Sequence, residues 1–490
     1  MNNTKKMLSG IIAVISVMTS AVSCNTTTSH TTGSLSIEPT SAESSIVETT
    51  KETTMKTTSE TIVTETTTTT ITTTPEVEEP APLEDPVDVH GTEIVWLSDY
   101  DLNPQAGSER PVAVALFEDV FGGKIKFVQT SARNKLTTLS QMLISGEEVD
   151  MFGYEYGEFP KGVLSEQYQP LDPYFRSMGM NYNIWDDMEE AIDMFEYKNQ
   201  HYVIPTSLSN PTVLMYSRSI IKNYDLDDPY ELYKKGQWNW DTFLDISGKY
   251  RTKTNKPAIR GNIGSSALHS GGGRVISNYN GKLVNNVNSA PVRYAELFMQ
   301  ELSSQSLYSS AWGESYTTDT LFFAYDSWAL GTSNVYNPDM DLMIVPFPKS
   351  PKAEKYSVVC DFNAKMLVKN STKGDAVATY IQCERIAATQ EDYKEAAKQY
   401  AIQPEKSSNG AIKSYITAEQ YDALQEFTDP SKITPVFDYG YGMNDSISGS
   451  GGVMANLENT FLINGGSESD WKILRNSCSD IIKEVIKEYQ

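Results

Sequence analysis

The chain has 490 residues and a formal net charge of −24, and all 51 of its aromatic residues lie after position 89. The 401 residues that follow exceed twice the ~150 of an ordinary domain, which predicts two lobes. So acidic a surface repels nucleic acid and anionic lipid headgroups. Four cysteines and four histidines without CxxC, HExxH or any metal-ligand spacing argue against a disulfide framework and a zinc site. No cofactor or metal is expected.

Lys5 and Lys6, an apolar run from Met7 to Met18 and small residues up to Cys24 have the layout of a secretory signal over residues 1–23. The run is shorter than the ~20 apolar residues of a membrane span. Ala21-Val22-Ser23-Cys24 resembles the lipobox of bacterial lipoproteins, with Ala21 where Leu is commoner. That resemblance implies lipidation at Cys24 and anchoring at the outer face of the cytoplasmic membrane, for which two acyl chains suffice. From Asn25 to Thr74 there are 22 Thr and 7 Ser, and from Pro75 to Asp101 nine acids with no Lys or Arg. Such a composition cannot offset its ordering entropy, which predicts a disordered tether over residues 24–89 with a reach of roughly 45 Å.

After Gly91 the pattern alternates. Glu93–Leu97 reads as a strand, Glu109–Phe121 as a helix stopped by Gly122-Gly123, and Lys124–Val128 as a second strand. Lys135–Ile144 is helical in period and Val149–Gly153 is a third strand. Strand, helix, strand, helix, strand with short joints predicts an α/β fold with a parallel sheet. Ligands of such sheets collect at the carboxyl ends of the strands, which puts Asp99, Tyr100, Tyr154, Glu155 and Tyr156 along one rim. Further helices are expected over residues 373–388, 392–400 and 470–489. Pro205 and Pro346 mark strand ends, and so natural crossings between lobes.

Leu143-Ile-Ser-Gly-Glu147-Glu-Val-Asp150-Met-Phe152 resembles the helix-to-strand joint of family 1 extracellular solute-binding proteins, the substrate receptors of sugar ABC transporters. Matches to this family continue in order. They are His201–Pro205 with Val213–Arg218, Gly236-Gln-Trp238-Asn-Trp240-Asp241-Thr-Phe243, and Ser270–Ile276 with Asn280-Gly281-Lys. Leu321–Ala329, Met343–Pro348 and Cys360–Ala364 complete the series. The resemblance spans residues 91–490. It implies a two-lobed periplasmic-binding-protein-like fold, each lobe a mainly parallel sheet flanked by helices, with a hinge between them. The expected division is 90–208 for lobe 1, 209–343 for lobe 2, 344–400 for the return to lobe 1, and 401–490 for the end of lobe 2 and the C-terminal helices. It further implies a monomer that takes a carbohydrate, an oligosaccharide by expectation, in an inter-lobe cleft and passes it to ABC permease subunits.

An indole packs well against the C–H face of a pyranose, and the family's strand-end loop presents an aromatic to the sugar. Trp328 is therefore the expected platform, with Trp312, in a polar loop, as the second. Asp99, Glu155, Asp326 and Asp361 follow predicted strands, where a carboxylate accepts paired hydroxyl hydrogen bonds. Asn210 lies in the first crossing. Tyr154, Tyr156, Phe362 and Tyr439, the last in the aromatic Asp438–Met443 loop, complete the expected ligand contacts. Trp96, Trp238, Trp240 and Trp471 are expected in the core, with the helix start near Trp240 capped by Asn239 or Asp241. A secreted glycoside hydrolase, which needs two spaced carboxylates, and an adhesion module on a Thr-rich stalk are the rival classes. No GxSxG or GxxxxGK[ST] occurs, and the chain is expected not to be an enzyme.

Overall fold

In the computed structural model the described residues are 87–104, 110–466 and 468–490, so the expected leader, Cys24 and tether lie outside them, as does the side chain of Trp471. β1 (Glu93–Ser98) is buried at every position after Glu93, as a strand covered on both faces must be. α1 (Val112–Asp119), β2 (Lys124–Gln129), α2 (Lys135–Ser145) and β3 (Met151–Gly153) follow. β1 pairs in parallel with both β2 and β3. α2 ends on Gly146 at φ +74°, a left-handed cap that costs glycine no Cβ clash. The short β4 (Tyr168–Gln169) and then β5 (Ile204–Ser209) lead to Asn210-Pro211, where the chain crosses into β6 (Thr212–Ser217) of a second sheet.

After β6 and two short helices, Arg218–Asn223 and Pro229–Lys234, comes α3 (Trp240–Thr254), whose amino end is a reciprocal cap. Asn239 Oδ1 accepts from the Thr242 amide at 3.1 Å, and the Asn239 amide donates to Thr242 Oγ1 at 3.1 Å. Asn239→Ala is expected to lower the unfolding free energy by about 1 kcal/mol, read as a lower urea midpoint at unchanged slope. The flanking indoles are core: Trp238 Nε1 donates to the Pro346 carbonyl at 2.9 Å, and Trp240 stacks on Phe298 with centroids 4.6 Å apart. β7 (Ile259–Gly261) and α4 (Ile263–Ser270) come next, then a hairpin of β8 (Ile276–Tyr279) and β9 (Lys282–Asn285). Its tip, Asn280 and Gly281 at φ +51° and +75°, has the two left-handed residues of a type I′ turn. α5 (Ala290–Ser304), β10 (Tyr308–Ser309), β11 (Phe322–Asp326), α6 (Ala329–Tyr336) and β12 (Leu342–Pro346) complete the lobe. The second sheet runs β10-β7-β11-β6-β12.

The chain returns through β13 (Tyr356–Val358) into β14 (Asp361–Val368), which joins β3, β4 and β5. α7 (Gly374–Thr389) packs against α1. α8 (Glu391–Ala401) leads to α9 (Ala418–Phe427), which reaches the second sheet, its Gln420 Nε2 donating to the Leu342 carbonyl at 2.6 Å. β15 (Ile433–Pro435) then runs parallel beside β13 as a third connection, before α10 (Val453–Glu458) and α11 (Glu468–Tyr489). Among the described residues no helix is long and apolar enough to cross a membrane.

The sheets are mixed, not mainly parallel. β14 runs antiparallel to β3, β4 and β5, and β6 runs antiparallel to β11 and β12. The reason is the route of the chain: a strand arriving from the other lobe enters its sheet from the cleft edge, against the direction of strands that end there.

Candidate functional site

On the first lobe, the carboxyl end of β1 and the loop after β3 meet at one cation. Lys135, the first residue of α2, lies 2.8 Å from Asp99 Oδ1 and also binds Glu155 Oε1. Burial alone would raise the Asp99 pKa, and the Lys135 ammonium overrides it, holding the carboxyl below its ordinary value. Burial acts against the Lys135 charge as well, yet its two carboxylate partners hold that pKa above the ordinary value. Asp99 and Glu155 are therefore an ion triad with Lys135 rather than two free acceptors. The signal was in the sequence: Lys135 opens the helix after β2, at the same strand-end rim as Asp99.

Tyr154 follows β3, its ring edge-on to Phe195 at 5.1 Å. Its hydroxyl is buried without a hydrogen-bond partner, beside Asp361 and Glu155, and burial pushes its pKa far up. An unpaired buried hydroxyl costs about 1–3 kcal/mol. Tyr154→Phe is therefore expected to leave the urea midpoint unchanged or raise it. A loss beyond about 1 kcal/mol would contradict this placement.

Asn210 joins the two lobes. It adopts φ +46° in the crossing between β5 and β6, a region that Asn tolerates better than most residues. Its Nδ2 donates to Asp361 Oδ2 at 3.0 Å, at the start of β14. Its Oδ1 accepts from the Trp328 amide at 3.1 Å and from Ser327 Oγ at 3.3 Å, at the end of β11. Beside it, Thr212 Oγ1 donates to Asp326 Oδ1 at 2.8 Å. Asp326 is raised by burial against the Thr212 bond. The Asp361 pKa is raised by desolvation of its carboxylate, with the charges of Asp326 and Glu155 adding to this against the Asn210 bond.

The aromatic side of the site stands on the second lobe. Tyr325, buried at the end of β11, carries Trp328 edge-on at 5.5 Å and Trp312 edge-on at 6.0 Å. Both indoles reach solvent, Trp328 at 40% exposure and Trp312 at 72%. A core Trp is fixed on both faces, and these two are held by their edges.

Two expected contacts are corrected. Phe362 is buried against Phe195 (5.0 Å) and Phe437 (6.4 Å), because Asp361 and Asn363 take the open face of β14 and alternation turns Phe362 inward. Tyr439 is buried in the same cluster, its ring 5.7 Å from Phe159 and its hydroxyl donating to the Glu196 carbonyl. Its neighbour Tyr441 is the residue of that loop which reaches across, 4.8 Å from the exposed ring of Tyr156. Tyr441 is positioned by His269, which is fully buried. Nδ1 of His269 faces the Gly273 carbonyl at 2.8 Å, so it carries the proton, and Nε2 accepts from the Tyr441 hydroxyl at 3.1 Å.

Burial lowers the His269 pKa to about 4 from 6.5, with Arg274 adding to this and the Gly273 carbonyl opposing it. Between these values the unfolded chain binds the extra proton, so stability from the neutral ring is complete above pH 6.5 and is lost as pH falls through about 4. The loss should be on the order of 3 kcal/mol. Urea unfolding of the parent and of His269→Gln at pH 7 and pH 4.5 tests it: the parent should lose more than the variant.

Two α/β lobes joined by three connections are a fold shared with solved two-lobed sugar-binding proteins. Solved structures that share it include the cyclic alpha-maltosyl-1,6-maltose binding protein from Arthrobacter globiformis, 15% identical over 82% of this chain and 99% of that one, with a TM-score of 0.59. The sugar-binding protein MalE from Xanthomonas citri is 12% identical over 81% of this chain and 98% of that one, also at 0.59. The galacto-N-biose-/lacto-N-biose I-binding protein of the ABC transporter from Bifidobacterium longum is 12% identical over 82% and 97%, at 0.53. No protein-family model matches the chain, and no curated protein matches it in sequence.

Proposed function

We propose that the chain is a family 1 extracellular solute-binding lipoprotein that captures a carbohydrate between its lobes and delivers it to an ABC importer. The observation that carries this reading is the pair of solvent-reaching indoles, Trp312 and Trp328, on one lobe, with the Trp328 amide linked through Asn210 to Asp361 of the other. Apolar platforms with a few convergent polar groups are what a sugar site needs. Asn210 ties the two sides at the crossing, which makes it the natural pivot of a hinge. A ligand bonded from both lobes favours the closed form, since only a difference in affinity between states shifts them. Titration calorimetry with neutral oligosaccharides tests the reading: binding with the sugar recovered intact supports a receptor, and cleavage or indifference to every sugar overturns it.

Membrane attachment belongs to the same proposal and rests on the Ala21-Val22-Ser23-Cys24 leader. Cys24→Ala is expected to release the protein from the membrane fraction into the medium. Retention with the leader uncleaved, read by fractionation and intact mass, would refute the lipid anchor.

A further inference from the structure

β7, β10 and β11 run parallel, so Gly261, Ser309 and Asp326 end on one edge of the second sheet. This end of the sheet opens into a cavity of about 290 Å³. That is near the lower end of the roughly 300–1,000 Å³ of small-molecule sites, room for one ring rather than a whole oligosaccharide. Trp312 lines it together with Asn262, Tyr308, Ser309, Ser310 and Glu458.

Glu458 is placed there by a glycine. A Cβ on Gly264 would stand 2.4 Å from the Glu458 carboxyl carbon, so only glycine lets that carboxylate approach the first turn of α4. The Gly264 amide donates to it, while burial raises its pKa against that bond. A carboxylate has about four acceptor positions, and one amide leaves the others for the cavity. Glu458 is the one charged side chain among the described residues lining the cavity. Arg260, next to Gly261, lies over the Phe323 ring at 4.1 Å and donates to the Ser315 carbonyl.

We propose that this cavity is a subsite for one terminal pyranose of the ligand, stacked on Trp312, and that Glu458 determines its specificity. Glu458 accepts hydrogen bonds from neighbouring ring hydroxyls and excludes a ring that bears a carboxylate. The proposal rests on the carbohydrate reading above and adds to it where the chain end sits and which sugars are refused. A like charge held within a few ångströms of Glu458 should weaken binding by about 100-fold.

The test uses the mature protein and titration calorimetry with maltotriose, cellotriose and laminaritriose. The tightest of these is compared with its counterpart whose terminal ring is oxidised at C6 to a uronic acid. The parent should bind the acid form about 100-fold more weakly. Glu458→Gln keeps the size and the bond to Gly264, and should narrow that difference to under about ten-fold, a change in selectivity that a structural role would not produce. Trp312→Ala, at an exposed position, should weaken the neutral sugar by about ten-fold without altering the melting temperature. Equal binding of neutral and acid forms by the parent, or parental affinity in Trp312→Ala, overturns the subsite. So does unchanged selectivity in a folded Glu458→Gln. If the neutral sugar is bound by the parent and lost in Trp328→Ala while Trp312→Ala and Glu458→Gln behave as the parent, the subsite alone fails. If none of the three sugars binds the parent, the subsite and the reading beneath it fall together.

Discussion

Replacing Phe195 by Ala is expected to cost about 3–5 kcal/mol of stability, the largest effect of any single truncation discussed here. Phe195 is fully buried and touches four rings, with centroids 5.1 Å away at Tyr154, 5.5 Å at Phe159, 5.0 Å at Phe362 and 4.5 Å at Phe437. These rings come from the loop after β3, from β14 and from the segment after β15, and the last two are places where the chain passes between lobes. Removing the ring leaves a cavity that rigid neighbours cannot fill, and edge-to-face contacts worth about 0.5–1.5 kcal/mol each are lost with it. Urea unfolding measures the cost. A loss under about 1 kcal/mol would mean that the cluster collapses into the gap and is not a fixed support. Because Tyr154 rests on Phe195, ligand affinity should fall in the same variant.

Trp328→Ala should show the opposite balance. Its indole is 40% exposed, so the fold should change by under about 1 kcal/mol. Loss of the platform should cost about 1–3 kcal/mol of binding, roughly 5- to 150-fold in the dissociation constant. For the parent, a sugar at 100 times its dissociation constant should stabilise the protein by about 2.7 kcal/mol, and at equal sugar concentration the variant should gain less. Calorimetry and thermal unfolding with and without sugar give both quantities. Unchanged affinity for a sugar that binds the parent would remove Trp328 from the site.

The regular elements were legible because their signals are local. The helix over Lys135–Ser145 follows from the spacing of Leu136, Leu139, Met142 and Leu143, and its stop from Gly146. Asn280-Gly281 announced its hairpin by turn chemistry alone. Asn239 capped its helix as its neighbours suggested, and Trp96, Trp238 and Trp240 went to the core. The direction of β14 and β6 was not legible, since strand direction depends on which lobe the chain has come from.

The site was legible in part. Asp99 and Glu155 follow strands as expected, whereas Asp326 is the last residue of β11 and Asp361 the first of β14. The pairing of Asp99 and Glu155 with Lys135 needs the spatial meeting of α2 and the β3 loop. Phe362 was recoverable: once Asp361 is placed on the open face, a period of two sends the next residue inward. Tyr439 was not, because in an aromatic loop no periodicity says which ring faces out. Glu458 carries no local signal at all. Its meaning comes from Gly264, nearly two hundred positions earlier in the chain, which gives way so that the carboxylate can reach a helix end.

The direction of β1 has a practical side. The chain enters the folded part at residues 87–91, at the amino end of this strand, and Asp99 lies past its carboxyl end on the ligand rim. Six residues of strand at about 3.3 Å each set the entry point and the rim roughly 20 Å apart, at opposite edges of the sheet. A bead or dye coupled at residue 87 is therefore held about that far from Asp99, at the other end of the strand.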